Sequence, residues 1–146
     1  MASTLFDELG GEPVLRGIIE RFVDRVFDDV MIGFFFRDAQ RERVKQKEYE
    51  FAAQHLGAPI EYTGRPLRDA HRTHPIMGGQ FARRLTILKQ TLEEAGVPEH
   101  VKAHWVAHTE GLRAQITADQ IKECDPARAL ERTATIANAP PPRVKV

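Results

Sequence analysis

Six histidines carry most of the metal-binding chemistry available to this chain, and their spacing sorts them. His71 lies in Leu67-Arg68-Asp69-Ala70-His71-Arg72-Thr73-His74-Pro75-Ile76. A neutral imidazole is a good transition-metal donor. A lone imidazole on an apolar wall suits the iron of a flat macrocycle. His74 is the competing donor, but Pro75 behind it favours an extended conformation. Read alone, a histidine on a short helix is ordinarily a satisfied or surface side chain. His100, His104 and His108 form an i, i+4, i+8 row on one helix face, so any two of them could share a divalent cation. No carboxylate sits at matching spacing, and hydrogen bonding between helices is the plainer reading. Phe34-Phe35-Phe36 either plugs a core or faces a planar ring. Cys124, the only cysteine, excludes an internal disulfide and a cysteine-based zinc site.

These side chains need helices to hold them, and the sequence supplies helical patterning almost throughout. Leu15, Ile18, Ile19, Phe22, Val23, Val26 and Phe27 form one apolar stripe, which predicts a helix over about Glu12 to Asp29. A second helix is predicted from Asp38 to His55, with Val44, Phe51, Ala52 and Leu56 as its stripe. Lys47 and Glu48 occupy the positions that should complete it. Gly57 and Pro59 end it. The segment Ile60–Gly79 has room for a turn or two of helix around Leu67–Arg72. A third long helix, Gly79–Ala95, presents Phe81, Leu85, Leu88 and Leu92 with Arg84 among them. A fourth, Pro98–Ile116, presents Val101, Trp105, Leu112 and Ile116 with His104 and His108 intruding. Lys47, Glu48, Arg84, His104 and His108 are thus expected to face inward. Buried ionisable groups are costly unless paired or ligating, so this set implies a polar-headed ligand inside the helices.

The whole chain fits that picture. Its 146 residues suffice for one domain with one core. Lys plus Arg and Asp plus Glu balance to zero net charge, which removes the bulk electrostatic case for nucleic acid or an anionic membrane. No apolar run approaches the roughly 20 residues that span a bilayer. The N-terminus shows no basic region followed by an apolar one, so a cytoplasmic domain is expected. Residues 1–117 read as the folded domain. Residues 118–146 read as an extension: a short extra helix from Pro126 to about Asn138, then a mobile tail around Pro140-Pro141-Pro142.

In this order the pieces resemble the truncated haemoglobins, small globins with a two-over-two helical sandwich. The resemblance covers about Thr4 to Ile116. It rests on Leu5-Phe6-Asp7-Glu8-Leu9-Gly10-Gly11, Phe35-Phe36, Leu56-Gly57-Ala58-Pro59, Tyr62-Thr63-Gly64-Arg65-Pro66, the His71 segment, Pro75-Ile76, Phe81 and Ala95-Gly96-Val97-Pro98. It implies an all-α fold and haem b as cofactor, with His71 as the proximal iron ligand. Phe36 would wedge against the haem with Phe35 beside it. Tyr62, Arg65 and Leu67 would line the haem edge, with Arg65 or Lys47 as a propionate partner. Ile76 and Phe81 would pack the ring. Val44, Lys47, Glu48 and Phe51 would lie on the distal helix, and Val23 and Arg84 would face the same cavity.

Three positions depart from the family pattern and leave the subgroup open. Val23 stands where members usually carry a Tyr whose hydroxyl stabilises bound oxygen. Glu48 stands where Gln is frequent, and Arg84 where many members have Trp. Arg84 and Lys47 become the candidate donors to a diatomic ligand, and a Glu48–Arg84 or Glu48–Lys47 pair is expected. Lys47 has a second option, coordination of the iron as a neutral amine. The resemblance implies reversible binding of O2, NO or CO for transport, scavenging or sensing. The alternative is an enzyme, served by a separate reductase, that dioxygenates nitric oxide or performs peroxidase-like chemistry with Glu48 as proton shuttle. A haem-free bundle binding a partner through its histidine row is the third reading.

Overall fold

The computed structural model describes residues 3–72 and 75–117. Thr4 opens the first helix, α1 (Leu5–Leu9), through a capping box. Its hydroxyl accepts from the Asp7 amide at 3.1 Å, and the Asp7 carboxylate accepts from the Thr4 amide at 3.2 Å. Sequence periodicity did not mark this helix, because five residues are too few to show a stripe. Gly10 and Gly11 then turn the chain with φ of 122° and 77°. A Cβ at Gly10 would lie 2.6 Å from Val14 Cγ2, so glycine is required there on two counts.

Helix α2 (Gly11–Asp28) is the central element and follows the predicted stripe. Leu15, Ile18, Ile19, Phe22, Val23 and Val26 are all buried. It packs on α1, on α3 (Arg41–His55) and on α5 (Gly78–Glu94), which in turn carries α6 (Glu99–Gly111). A 3-10 turn, Gly33–Phe36, links α2 to α3, and α4 is the six-residue helix Leu67–Arg72. Among the described residues the architecture is all-α; the sole β feature is an isolated bridge between Ile76 and Thr117.

Two elements differ from the sequence expectation. Helix α3 begins at Arg41 rather than Asp38, and its buried face is Tyr49, Ala52 and Ala53, with Leu56 just past its end. The Val44–Phe51 line belongs to a second, partly exposed face. The predicted fourth helix breaks at Leu112, whose amide bonds back three residues to Thr109 at 3.1 Å and tightens the last turn. Helix α7 (Arg113–Ile116) follows and packs against α4. The predicted helix at Pro126–Asn138, the proline-rich tail, Cys124 and His74 lie outside the described residues.

Candidate functional site

The second face of α3 borders a cavity of about 620 Å³, enclosed by α3, α4, α5, the α6–α7 corner and the 3-10 turn. That volume falls in the roughly 300–1,000 Å³ range of ligand pockets. Thirteen of the fourteen residues expected around a ligand come together on its wall. Phe35 and Phe36 enter from the 3-10 turn. Val44, Lys47, Glu48 and Phe51 enter from α3. Tyr62, Arg65, Leu67 and His71 come from the α3–α4 segment and α4, and Ile76, Phe81 and Arg84 from α5 and its approach. Val23 is the exception: it is 2% exposed and belongs to the packed core rather than the cavity wall. The reason is helix phase, since Val23 belongs to the stripe that α2 turns toward its neighbours.

His71 is placed by α4, which Pro66 starts: the Ala70 amide bonds the Pro66 carbonyl at 2.9 Å. Proline just ahead of a short helix presets its backbone and lacks an amide that would go unsatisfied. His71 Nδ1 donates to the Leu67 carbonyl at 2.7 Å, one helical turn back. That bond selects the tautomer with its lone pair on Nε2 and fixes the ring plane, as metal-ligating histidines require.

The segment before α4 is strapped onto α3. Glu50 Oε1 accepts from the Thr63 amide at 2.8 Å and from the Thr63 hydroxyl at 2.6 Å, while Gln46 donates to Oε2 at 2.9 Å. These bonds, the Thr63 hydroxyl foremost, hold the Glu50 carboxyl at about 2, against the opposing effect of burial. The Tyr62 amide donates to Gln54 at 2.7 Å, and the Tyr62 hydroxyl donates to the Arg65 carbonyl at 2.8 Å. The Tyr62 ring meets Phe51 edge-on, 5.2 Å between centroids. Burial, then the charges of Glu48 and Glu50, push the Tyr62 hydroxyl above its ordinary pKa.

Glu48 pairs with Arg84, as expected. Arg84 Nη2 approaches both carboxylate oxygens, at 3.0 and 3.1 Å. Lys47 turns the other way: its Nζ donates to the Thr63 hydroxyl at 2.6 Å and lies 3.8 Å from Glu50.

Sequence reasoning missed two groups. Arg43 and Gln40 line the cavity from the start of α3. His55 lines it as well, at the centre of a histidine stack. Its ring lies 4.1 Å from that of His108 and 5.6 Å from that of His104, both near parallel. His108 faces the cavity and His104 is exposed, so the row predicted to face inward does so only in part. His100 instead bonds Glu8 on α1, Nε2 to Oε2 at 3.0 Å. Parallel rings stack faces rather than converge lone pairs, and among the described residues no three His, Cys, Asp or Glu side chains are arranged to hold a metal ion. The signal for His55 was its position four residues after Phe51, on the same face as Glu48.

The fold and this cavity define a helical protein with an internal space large enough for a ligand. The chain matches the family model for bacterial-like globins over residues 4–118. A group 1 truncated haemoglobin from Synechocystis is 32% identical over 109 residues, covering 72% of this chain and 88% of that protein. One from Mycolicibacterium paratuberculosis is 34% identical over 96 residues, covering 66% of this chain and 71% of that protein. Among solved structures, the haemoglobin of Chloroflexus aurantiacus aligns with a TM-score of 0.71 at 29% identity, covering 80% of this chain and 99% of that one. The truncated haemoglobin of Tetrahymena pyriformis shares the fold with a TM-score of 0.75 at 24% identity, over 80% of this chain and all of that one. The chain therefore belongs to the bacterial-like, truncated globin family, whose cofactor is haem. The matched span coincides with the stretch that resembled the family in sequence. No helix among the described residues is long and apolar enough to cross a membrane.

Proposed function

We propose that this chain binds haem b in the 620 Å³ cavity through His71 and holds small gaseous ligands there. The observation that carries the reading is His71 itself, lining an aromatic-walled cavity with its Nδ1 fixed by the Leu67 carbonyl. The donor set fits haem: one oriented imidazole, aromatic and aliphatic walls, and cations on the rim. When bound, haem supplies an iron with an open coordination position for O2, NO or CO.

The chain's own residues do the rest. His71 holds the iron from α4. Phe35, Phe36, Phe81, Leu67 and Ile76 exclude water from the ring. Arg65 and Arg43, both exposed on the cavity rim, are the partners for the propionates. Lys47 serves the strap, because its Nζ is engaged by Thr63 and Glu50. That assignment favours a resting state without lysine ligation. Arg84 is the donor to a ligand inside the cavity, and Glu48 offsets its charge. Both Glu48 oxygens meet Arg84 Nη2, which favours ligand binding over proton shuttling by Glu48. A role in transport, scavenging or sensing in the cytoplasm follows from this reading.

The absorption spectrum tests it. Purified chain mixed with haem is expected to develop a Soret band with one-to-one stoichiometry, and His71→Ala to bind haem weakly with an altered ferrous spectrum. An unchanged spectrum in His71→Ala would remove His71 from the iron, and the absence of any Soret band would remove haem.

A further inference from the structure

One corner of the fold presents apolar side chains to solvent and is held in place while doing so. Val30, Met31 and Phe34 follow helix α2 and are 96%, 53% and 51% exposed, and Met77, which caps the start of α5, is 51% exposed. Single exposed apolar side chains are ordinary, but a group of them marks a contact surface. A loose loop does not account for the group. Asp29 Oδ2 accepts from the Met31 and Ile32 amides at 3.0 and 3.2 Å, and Asp29 Oδ1 accepts from Arg83 at 2.8 Å. Arg83 lies on α5 beyond Met77, about 9 Å further along the helix axis. The same carboxylate therefore ties the corner to the start of α5. Neighbours of these exposed residues line the cavity: Ile32 and Phe35 at the corner, Ile76 and Gln80 beside Met77. Phe35, Ile76 and Gln80 are only half-buried, so the cavity wall is thin on this side.

The chain itself supplies the segment that fits this surface. The described residues end at Thr117, whose parallel bridge to Ile76 points the chain onward in the direction of Met77. Residues 118–146 follow, and the family match ends at residue 118. Residues 118–125 span about 25 Å when extended, so a segment starting at Pro126 can reach from Met77 across to the corner. Pro126–Asn138, the helix expected from the sequence, places Ala127, Leu130, Ala134 and Ala137 on one apolar stripe, with Arg128 and Arg132 on the opposite side. Such a helix is about 20 Å long. Alone in water a helix of that length is marginal, so it gains order only against a surface. The tether favours this occupant over a second copy of the chain, because a short linker holds the segment at an effective concentration on the order of millimolar.

We propose that Pro126–Asn138 docks as a helix on the surface formed by Met31, Phe34 and Met77, with Leu130 as its anchor, and screens the adjoining cavity wall from solvent. The docking needs only the folded chain. The screening rests on the haem reading, because it is read as slower entry of a gas to bound haem.

Limited trypsin digestion of the full chain tests the docking. Cleavage after Arg128 and Arg132 is expected to run about tenfold slower than cleavage after Arg143, because proteolysis follows the open population of a segment. Phe34→Glu sets a charge into the contact, and Leu130→Gln removes the anchor while keeping helix propensity. Both are expected to bring the cleavage rates together. If Phe34→Glu does not fold, Met77→Glu takes its place on the same surface. Association of CO with the ferrous, haem-loaded chain is expected to speed up by as much as about tenfold in Leu130→Gln, in proportion to the undocked population. Equal cleavage rates in the wild type, or protection that survives the surface variants, overturns the docking. Protection that rises with protein concentration assigns the surface to a second copy and overturns it as well. Unchanged CO association in Leu130→Gln, with protection lost, overturns the screening. A chain that gives no Soret band overturns the haem reading and the screening with it, while the digestion still decides the docking.

Discussion

His55 is a base kept neutral by its surroundings. Burial first, then the neighbouring His108 and His104, hold its pKa near 3 instead of 6.5. His108 is lowered too, by burial and by His104. Around the pair stand Phe51 and Trp105, which offer no compensating charge. His55 Nδ1 is buried without a partner among the described residues. Below pH 6.5 the unfolded chain protonates this ring and the folded chain does not. Stability from the neutral stack is therefore complete above pH 6.5 and drains as pH falls toward 3. The slope reaches at most about 1.4 kcal/mol per pH unit for one proton. Thermal melts should show a lower Tm at pH 5 than at pH 7, and His55→Phe should flatten the difference. An identical pH slope in the variant would place the acid sensitivity elsewhere.

The strap between α3 and α4 shows how elements set the site. Tyr62 folds back so that its ring lies over Gly64, where a Cβ would overlap the ring. Gly64→Ala should drive the ring from its hydrogen bond with the Arg65 carbonyl and from its edge contact with Phe51. We expect a loss of roughly 1–3 kcal/mol, the usual cost of overpacking, measured by denaturant unfolding. A variant as stable as the wild type would mean that the strap re-forms around the methyl group. Nothing local in the sequence reveals this arrangement, because its bonds run from Tyr62 and Thr63 to Gln54 and Glu50 on another element. Helix α2 was legible for the opposite reason: its stripe has one meaning, the core. Helix α3 was half legible. Val44, Lys47, Glu48 and Phe51 recur at helical spacing as core residues do, yet they face a cavity, while Tyr49, Ala52 and Ala53 face α2. Periodicity detects a helix face but not what fills the space opposite it. The mixed polarity of that face was the one clue that it borders a cavity rather than the core.

At the scale of the whole molecule, the cavity divides the structure into parts of unequal stability. Helices α2, α3, α5 and α6 share one continuous core. Helix α4 has no buried residue and packs mainly against the four-residue α7, so few apolar contacts hold this helix. Segments with few buried apolar contacts open at low free-energy cost. A ligand that binds only the folded state adds RT ln(1 + [L]/Kd), about 4 kcal/mol at a thousandfold excess over Kd. That stabilisation should be concentrated where the ligand replaces missing contacts. Hydrogen exchange of the chain with and without haem should therefore show the largest gain in protection at Leu67–Arg72, with little change along α2. The global Tm should rise with haem, and His71→Ala should lose most of the local gain while keeping part of the global one, since the aromatic walls still bury the ring. Uniform protection across all helices would mean that α4 is already as firmly held as the core, and that the cavity is preformed around His71 rather than completed by its ligand.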